Sequence, residues 1–557
     1  MTFTYTVSAA DWGRIAPVLV LVGMALVVML VDVVLPHAGG KRTKDTGPEN
    51  FVVLPLLAFL GVLGAIAATI VLFVMGDHQP AFNNMVGSDY GALYANLILL
   101  TASGLGILLS PQFLKRLQLV HQGEYYALFL FATVGMMLLA SATNFVTVFL
   151  GIELLSLALY ILCAFVARRR ASQESGMKYF LLSSFASAFL LYGIALTYGS
   201  TNSTSFRGAA DAVSLVMKGG NAAPAMLLVA MALMSVGFAF KVSAVPFQAW
   251  TPDVYQGAPA PVTAFMSVGT KAAALIAFAR VFDVVLLPAH ATWMPVIWAI
   301  AVLTMVGGNI MAVAQKNVKR MLAYSSVAHA GYLMIGIVVG GVDGIASILF
   351  YLFCYAFINV GAFGVVSFLE RLDNSGSDAS ALRGLWHRRP VLAGLLAFFL
   401  LSLAGFPPMA GFAGKYYLFY TALVGGHPEL LIIGVLASVF GMYYYLRFIA
   451  TMFMEAPEKE VQPAVAPAAT PVRRASGKLS TPSRGGTAVA VKPAAEKEVK
   501  VESGVVAEVV DDEPRHNLNW MAWLSLGLSV IGALAMGTVL PFWLVDLARQ
   551  AAEAMLK

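Results

Sequence analysis

About fourteen apolar runs, each near 20 residues long and almost free of charge, recur along this chain of 557 residues. A bilayer with a hydrocarbon core of about 30 Å asks for helices of that length. The runs fall at 15–35, 52–75, 90–110, 125–141, 144–166, 178–199, 224–246, 261–284, 293–314, 321–341, 344–369, 391–423, 428–453 and 519–546. Together they predict an all-α polytopic membrane protein of about 14 transmembrane helices. Pro407 and Pro408 break the run at 391–423, which predicts two half-helices sharing one crossing. Only 11% of the residues are charged, against roughly 25% in a soluble domain, so the composition argues against a water-soluble fold. The first run is no cleaved signal, because Lys41, Arg42 and Lys44 follow it and it is too long.

Loop charge sets the expected orientation. With the N-terminus outside, one set of alternate loops holds Lys41, Arg42, Lys44, Lys115, Arg116, Arg168, Arg169, Arg170, Lys178, Lys316, Lys319, Arg320, Arg371, Arg383, Arg388 and Arg389. The opposite set holds only Arg14, Arg207, Lys218, Arg549 and Lys557. The positive-inside rule puts the first set in the cytoplasm. Both termini then face outward, which requires an even number of spans. The net charge of +6 is explained by these loops and does not point to nucleic acid. Cys163 and Cys354 sit within apolar runs as small core residues, and no metal-ligand spacing or nucleotide fingerprint occurs.

Five regions are expected: a three-helix segment over 1–123, five-helix units over 124–290 and 291–454, a linker over 455–516, and a last transmembrane helix within 517–557. The linker is rich in Ala, Pro, Val, Lys and Glu, and its seven prolines would interrupt any long element. It reads as a disordered cytoplasmic segment. The two units are paired by their broken spans. A proline-interrupted run with a lysine occurs at spans 7 and 12, five spans apart. Five is odd, so the repeats have inverted topology, a known pointer to a transport site.

Four ionisable residues stand well inside apolar runs: Glu153, Lys241, Lys271 and Lys415. A charge at the bilayer centre costs about 2.5–3.5 kcal/mol on insertion scales. Single lysines of this kind snorkel to the interface or pair to fix packing. A set of three lysines and one glutamate points instead to proton transfer, since desolvation and a nearby carboxylate move a lysine's proton affinity in opposite directions. In that reading Glu153 modulates, Lys241 carries the proton, and Lys271 and Lys415 extend the route. His329, within MLAYSSVAHAGYLM, either relays protons or is a hydrogen-bonded packing residue. Lys316, Lys319 and Arg320, at the cytoplasmic mouth of span 10, read as topology charges or as an entry point for protons, and Asp253, Arg280 and Asp283 as interfacial or capping residues.

The runs FKVSAVPFQAWTPDVYQGAPAPVTAF (240–265), AYSSVAHAGYLM (323–334) and LLSLAGFPPMAGFAGKYYLF (400–419) resemble the antiporter-like subunits of respiratory complex I and related cation/proton antiporters. The resemblance covers all fourteen spans and fails only over 455–516. One branch fits best, with lysine rather than glutamate in span 12 and no long lateral helix after span 14. The resemblance implies that Glu153, Lys241, Lys271 and Lys415 are the family's proton-path residues. Gln248 departs from the pattern, which often has histidine there, so this position is not expected to titrate. Also implied are a bacterial inner membrane, other membrane-arm subunits as partners, and protons as the only substrate. No cofactor is expected in this chain; FMN, iron–sulfur clusters and quinone are expected elsewhere in the complex. A multisubunit Na⁺/H⁺ antiporter, a membrane-bound hydrogenase complex and a mere helix scaffold remain as alternatives.

Overall fold

The computed structural model describes residues 7–35, 50–117, 122–218, 223–370, 376–454, 520–539 and 541–556. The linker expected over 455–516 lies outside them, as do Lys41, Arg42, Lys44, Arg371 and Lys557. Among the described residues thirteen helices are long and apolar enough to cross a membrane, and the only strand-like pairings are isolated bridges. The twelfth span is the split one, Pro390–Ala404 followed by Ala410–Val424. This chain is a multi-pass membrane protein.

Burial sorts the spans into two shells. The third (Tyr90–Arg116), eighth (Ala260–Ala279), tenth (Val318–Val339) and eleventh (Gly341–Leu369) are almost wholly enclosed. The first, second, sixth (Arg170–Thr201), ninth (His290–Val313) and thirteenth (Pro428–Phe453) present large apolar side chains outward, among them Leu30, Val74, Phe185, Leu303 and Leu436. A soluble protein rarely exposes patches of this extent; they suit a surface covered by lipid or by neighbouring membrane subunits.

The internal repeat is written in backbone hydrogen bonds. Asn144 caps the fifth span (Phe145–Cys163) and Asn317 caps the tenth. Phe145 N–H donates to Thr204 at 2.9 Å, and Val318 N–H donates to Ser377 at 2.7 Å. Return bonds run from Phe206 to Thr143 at 2.9 Å and from Ala379 to Lys316 at 2.8 Å. Every partner in the second set lies 173 positions after its counterpart (145 to 318, 204 to 377). Five spans separate the two caps, so they belong to opposite membrane faces.

The two broken spans match as closely. The seventh runs Ala225–Val242, breaks, and resumes as Trp250–Gly257. Ser243 and Gly405 take left-handed φ values of +66° and +95° at the breaks. Ala244 N–H reaches back to the Ala239 carbonyl at 2.8 Å, and Phe406 N–H to Leu401 at 3.1 Å, both pairs offset by 162 positions. The half-helices of span 12 pack so tightly that a Cβ on Gly411 would stand 1.8 Å from the Ser402 carbonyl oxygen. Backbone cannot yield as a side-chain tip can. Gly411→Val is therefore expected to reduce the amount of folded protein in the membrane several-fold, checked by quantitative immunoblotting against Gly394→Val, where an added Cβ meets only the Trp386 ring edge at 4.0 Å.

Two runs end earlier than expected. The seventh stops at Val242 rather than at 246, and Asp253 lies in the first turn of the half-helix that follows the break. The fourteenth span ends at Thr538, and Pro541 opens a separate helix, Pro541–Leu556, because proline cannot continue the ladder of the preceding turn. That helix buries Leu544, Ala548, Ala551, Ala552 and Met555 along one face. A further short helix, Phe206–Met217, buries Phe206, Ala209 and Val213 at helical spacing. Alternating polar positions kept the second of these helices out of an apolar-run reading and let the last run take in only the start of the first.

Candidate functional site

Lys241, Lys271 and Lys415 are each held by neutral acceptors. Lys241, 3% exposed, donates to the Ser156 hydroxyl at 2.6 Å and the Ser183 hydroxyl at 2.7 Å. Its ammonium also sits 5.6 Å from the Tyr179 ring centroid. Glu153 is three residues before Ser156 on the same span, half-buried, with Oε1 enclosed and no protein donor upon it. Among the described residues the expected carboxylate–lysine pair is thus not a direct ion pair. Glu153 and Ser156 share a face of the fifth span, and it is Ser156 that Lys241 of the seventh span touches.

Lys271 lies on the fully enclosed eighth span and donates to the Ser326 carbonyl at 2.7 Å and to the Ser326 hydroxyl. Tyr179, Trp250 and Tyr255 separate it from Lys241: Tyr179 stacks on Trp250 at 4.8 Å, and the Tyr255 ring lies 5.9 Å from the Lys271 ammonium.

Lys415 closes the row. A helix leaves its last four carbonyls without intrahelical partners. At the end of Pro390–Ala404, Leu401 and Ser402 accept from the Gly405 amide. Leu403 and Ala404 accept from Lys415 Nζ, at 2.9 and 3.2 Å. The third ammonium proton goes to the Ser438 hydroxyl at 2.9 Å. The negative end of a helix dipole is a natural seat for a cation, and the break in span 12 supplies one at mid-membrane.

Between Lys271 and Lys415 runs a polar thread. Ser325, next to the acceptor of Lys271, shares a hydrogen bond with Tyr445. His329 Nε2 meets Tyr445 Oη at 3.3 Å, while its Nδ1 bonds Tyr351. Asn309 links Tyr332 at 2.9 Å to Tyr444 at 3.1 Å, and the Lys415 ammonium lies 5.3 Å from the Tyr332 ring. His329 is thus the hub of a hydrogen-bonded tyrosine cluster. Gln248 stands apart from this thread, its nearest polar partner being the Met311 sulfur at 3.9 Å.

One cluster was not legible from the sequence. Glu370, the residue just after the eleventh span, takes Arg169 at 2.6 Å and Lys319 at 3.1 Å, and accepts the Ala260 amide at 3.0 Å. Lys319 also donates to the Ala258 carbonyl at 2.7 Å. Lys319 is therefore fully buried and not a solvated topology charge. Its neighbour Arg320 pairs with Asp253 at 2.7 Å, which Lys178 shares at 2.9 Å. Arg280 caps the Ala140 carbonyl at 2.9 Å and pairs with Asp89 at 2.7 Å, while Asp283 is wholly buried with no protein donor to either oxygen. No group of three or more metal-ligating side chains occurs among the described residues.

Inverted units, paired broken helices and a mid-membrane row of lysines define a transporter-type module of the antiporter-like class. A family model described as "NADH:quinone oxidoreductase/Mrp antiporter, TM" matches residues 142–441. NADH-quinone oxidoreductase subunit N of Trichlorobacter lovleyi is 45% identical over 443 residues, 80% of this chain and 87% of that one. A chain of the solved respiratory complex I of Thermus thermophilus with bound aureothin is 29% identical, with a TM-score of 0.68 over 96% of this chain and 99% of that one. A chain of the Mrp complex of a Dietzia species, 18% identical with a TM-score of 0.72 over 98% of this chain and 99% of that one, shares the fold alone. The chain belongs to the NADH:quinone oxidoreductase/Mrp antiporter membrane family, in its group of NADH-quinone oxidoreductase N subunits.

Proposed function

We propose that this chain is a proton-translocating membrane-arm subunit of NADH:quinone oxidoreductase that carries no redox chemistry itself. Flavin, iron–sulfur clusters and quinone reduction belong to its partner subunits. Quinone reduction there shifts the Glu153 environment, and protons pass from Lys241 through Lys271 and the His329 cluster to Lys415. The carrying observation is the row itself: three buried ammonium groups, each on hydroxyls or carbonyls instead of a fixed counter-charge. A lysine locked to a carboxylate would hold its proton; one on neutral acceptors responds to a carboxylate brought nearer.

The direction is cytoplasm to outside, with both termini outside, as loop charge supports. Carrying one charge against 100 mV requires about 2.3 kcal/mol. A hundredfold change in a lysine's proton affinity is worth about 2.7 kcal/mol, so a modest electrostatic shift at Lys241 is of the required size.

Lys241→Ala tests the reading in membrane vesicles, by NADH-driven quinone reduction and proton uptake together. Both are expected to fall about tenfold or more while the complex stays assembled. Unchanged uptake would make Lys241 a packing residue and return the scaffold reading.

A further inference from the structure

The eighth span changes its winding just beyond the lysine row. Its α-helix ends at Ala279 and continues as a single π-helical turn, Arg280–Val285. Such turns concentrate at functional positions, because they re-aim side chains at the expense of regular bonding. The side chain this turn re-aims is Asp283. It is 0% exposed, and no protein donor reaches Oδ1 or Oδ2. Burying a carboxylate without donors is costly, and a structural acid would be expected to have partners.

The neighbourhood withholds those partners. Arg280, one turn earlier, is committed to Asp89 at 2.7 Å and to the Ala140 carbonyl at 2.9 Å. Phe206–Met217, with Arg207 and Asp211, and Pro541–Leu556, with Asp546, Arg549 and Glu553, both pack on the π turn. None of their charged groups bonds Asp283, and Arg549 pairs with Asp343 at 2.7 Å. Across from the acid lies Gly340, at φ +64°, where an added Cβ would stand 3.1 Å from Oδ1. Glycine there gives the carboxyl room beside a junction between the tenth and eleventh spans.

Asp283 follows Lys271 by twelve residues on one helix, roughly 18 Å toward the outer face at about 1.5 Å per residue. We propose that Asp283 is the release-side proton acceptor of this subunit. A proton leaves the lysine–histidine–tyrosine row, converts the Asp283 carboxylate to the carboxylic acid, and is then given to water at the outer face, restoring the carboxylate. Arg280, fixed by Asp89, tempers the negative charge between the two steps. The assignment rests on the proton-translocating reading and on its outward direction.

The test uses the whole complex in membrane vesicles. Asp283→Asn keeps the shape and cannot carry a proton; Asp283→Glu keeps the acid. In the asparagine variant, proton uptake is expected to fall about tenfold with assembly on native gels unchanged, and the glutamate variant is expected to recover most of it. Native-level uptake in Asp283→Asn overturns the assignment, as does equal impairment of both variants or loss of assembly in both. If Lys241→Ala abolishes uptake while Asp283→Asn does not, this inference fails and the proposed function stands.

Discussion

Glu370→Ala is expected to destabilise the folded chain by about 3–5 kcal/mol, enough to strip most of it from the assembled complex. Lys319 is 0% exposed and its ammonium would keep only the Ala258 carbonyl. Arg169, 6% exposed, would lose its 2.6 Å contact, and the first amide of the eighth span would lose its acceptor. One carboxylate thus ties neighbouring ends of the sixth, eighth, tenth and eleventh spans. Native gels and the thermal inactivation of vesicle NADH:quinone activity would measure the loss. Combining Glu370→Leu with Lys319→Met should restore part of it, because a missing pair costs less than a stranded charge. Arg549→Ala, which breaks a pair 51% and 46% exposed, should change stability by no more than about 1 kcal/mol. Equal loss in both variants would mean that burial is not what gives the Glu370 cluster its weight.

That contrast explains what the sequence made legible. Apolar length marks a span without reference to any other residue, so thirteen crossings and the split at Pro407–Pro408 could be read directly. A lysine inside an apolar run is likewise anomalous by itself, which is why Lys241, Lys271 and Lys415 stood out. Glu370 is 201 positions from Arg169 and 51 from Lys319, at the edge of a run where a carboxylate looks solvated. Nothing local separates it from Asp343, which is exposed. Asp283 was hidden in the same way: at the end of a run it resembles a capping acid, and only the enclosing of the π turn makes it unusual. For Glu153 and Lys241 the sequence leaves the contact open. Spacing along span 5 puts Glu153 and Ser156 on one face, but the sequence does not say which of them the lysine touches. The His329 cluster is not legible in the sequence because its tyrosines come from the tenth, eleventh and thirteenth spans.

Lys271→Met should have the largest effect on proton movement. Lys271 is the one lysine of the row that faces both units: it lies on the last span of the first and bonds Ser326 of the second. Ser325 then leads through Tyr445 to His329. Methionine nearly matches the lysine stem in length, and removing a buried charge relieves a burial cost, so assembly should stay near native. Proton uptake driven by NADH is expected to fall by about two orders of magnitude, the usual scale for losing a positioned proton donor. Lys178→Met, at a side chain 41% exposed, should leave uptake within about twofold, since exposed pairs contribute little. Stopped-flow traces from a pH dye outside the vesicles would read both. Uptake that survived in Lys271→Met would mean that His329 receives protons without passing Ser326. The two inverted units would then act as separate half-channels, each loaded from its own face, and the continuity between them in the folded chain would serve packing alone.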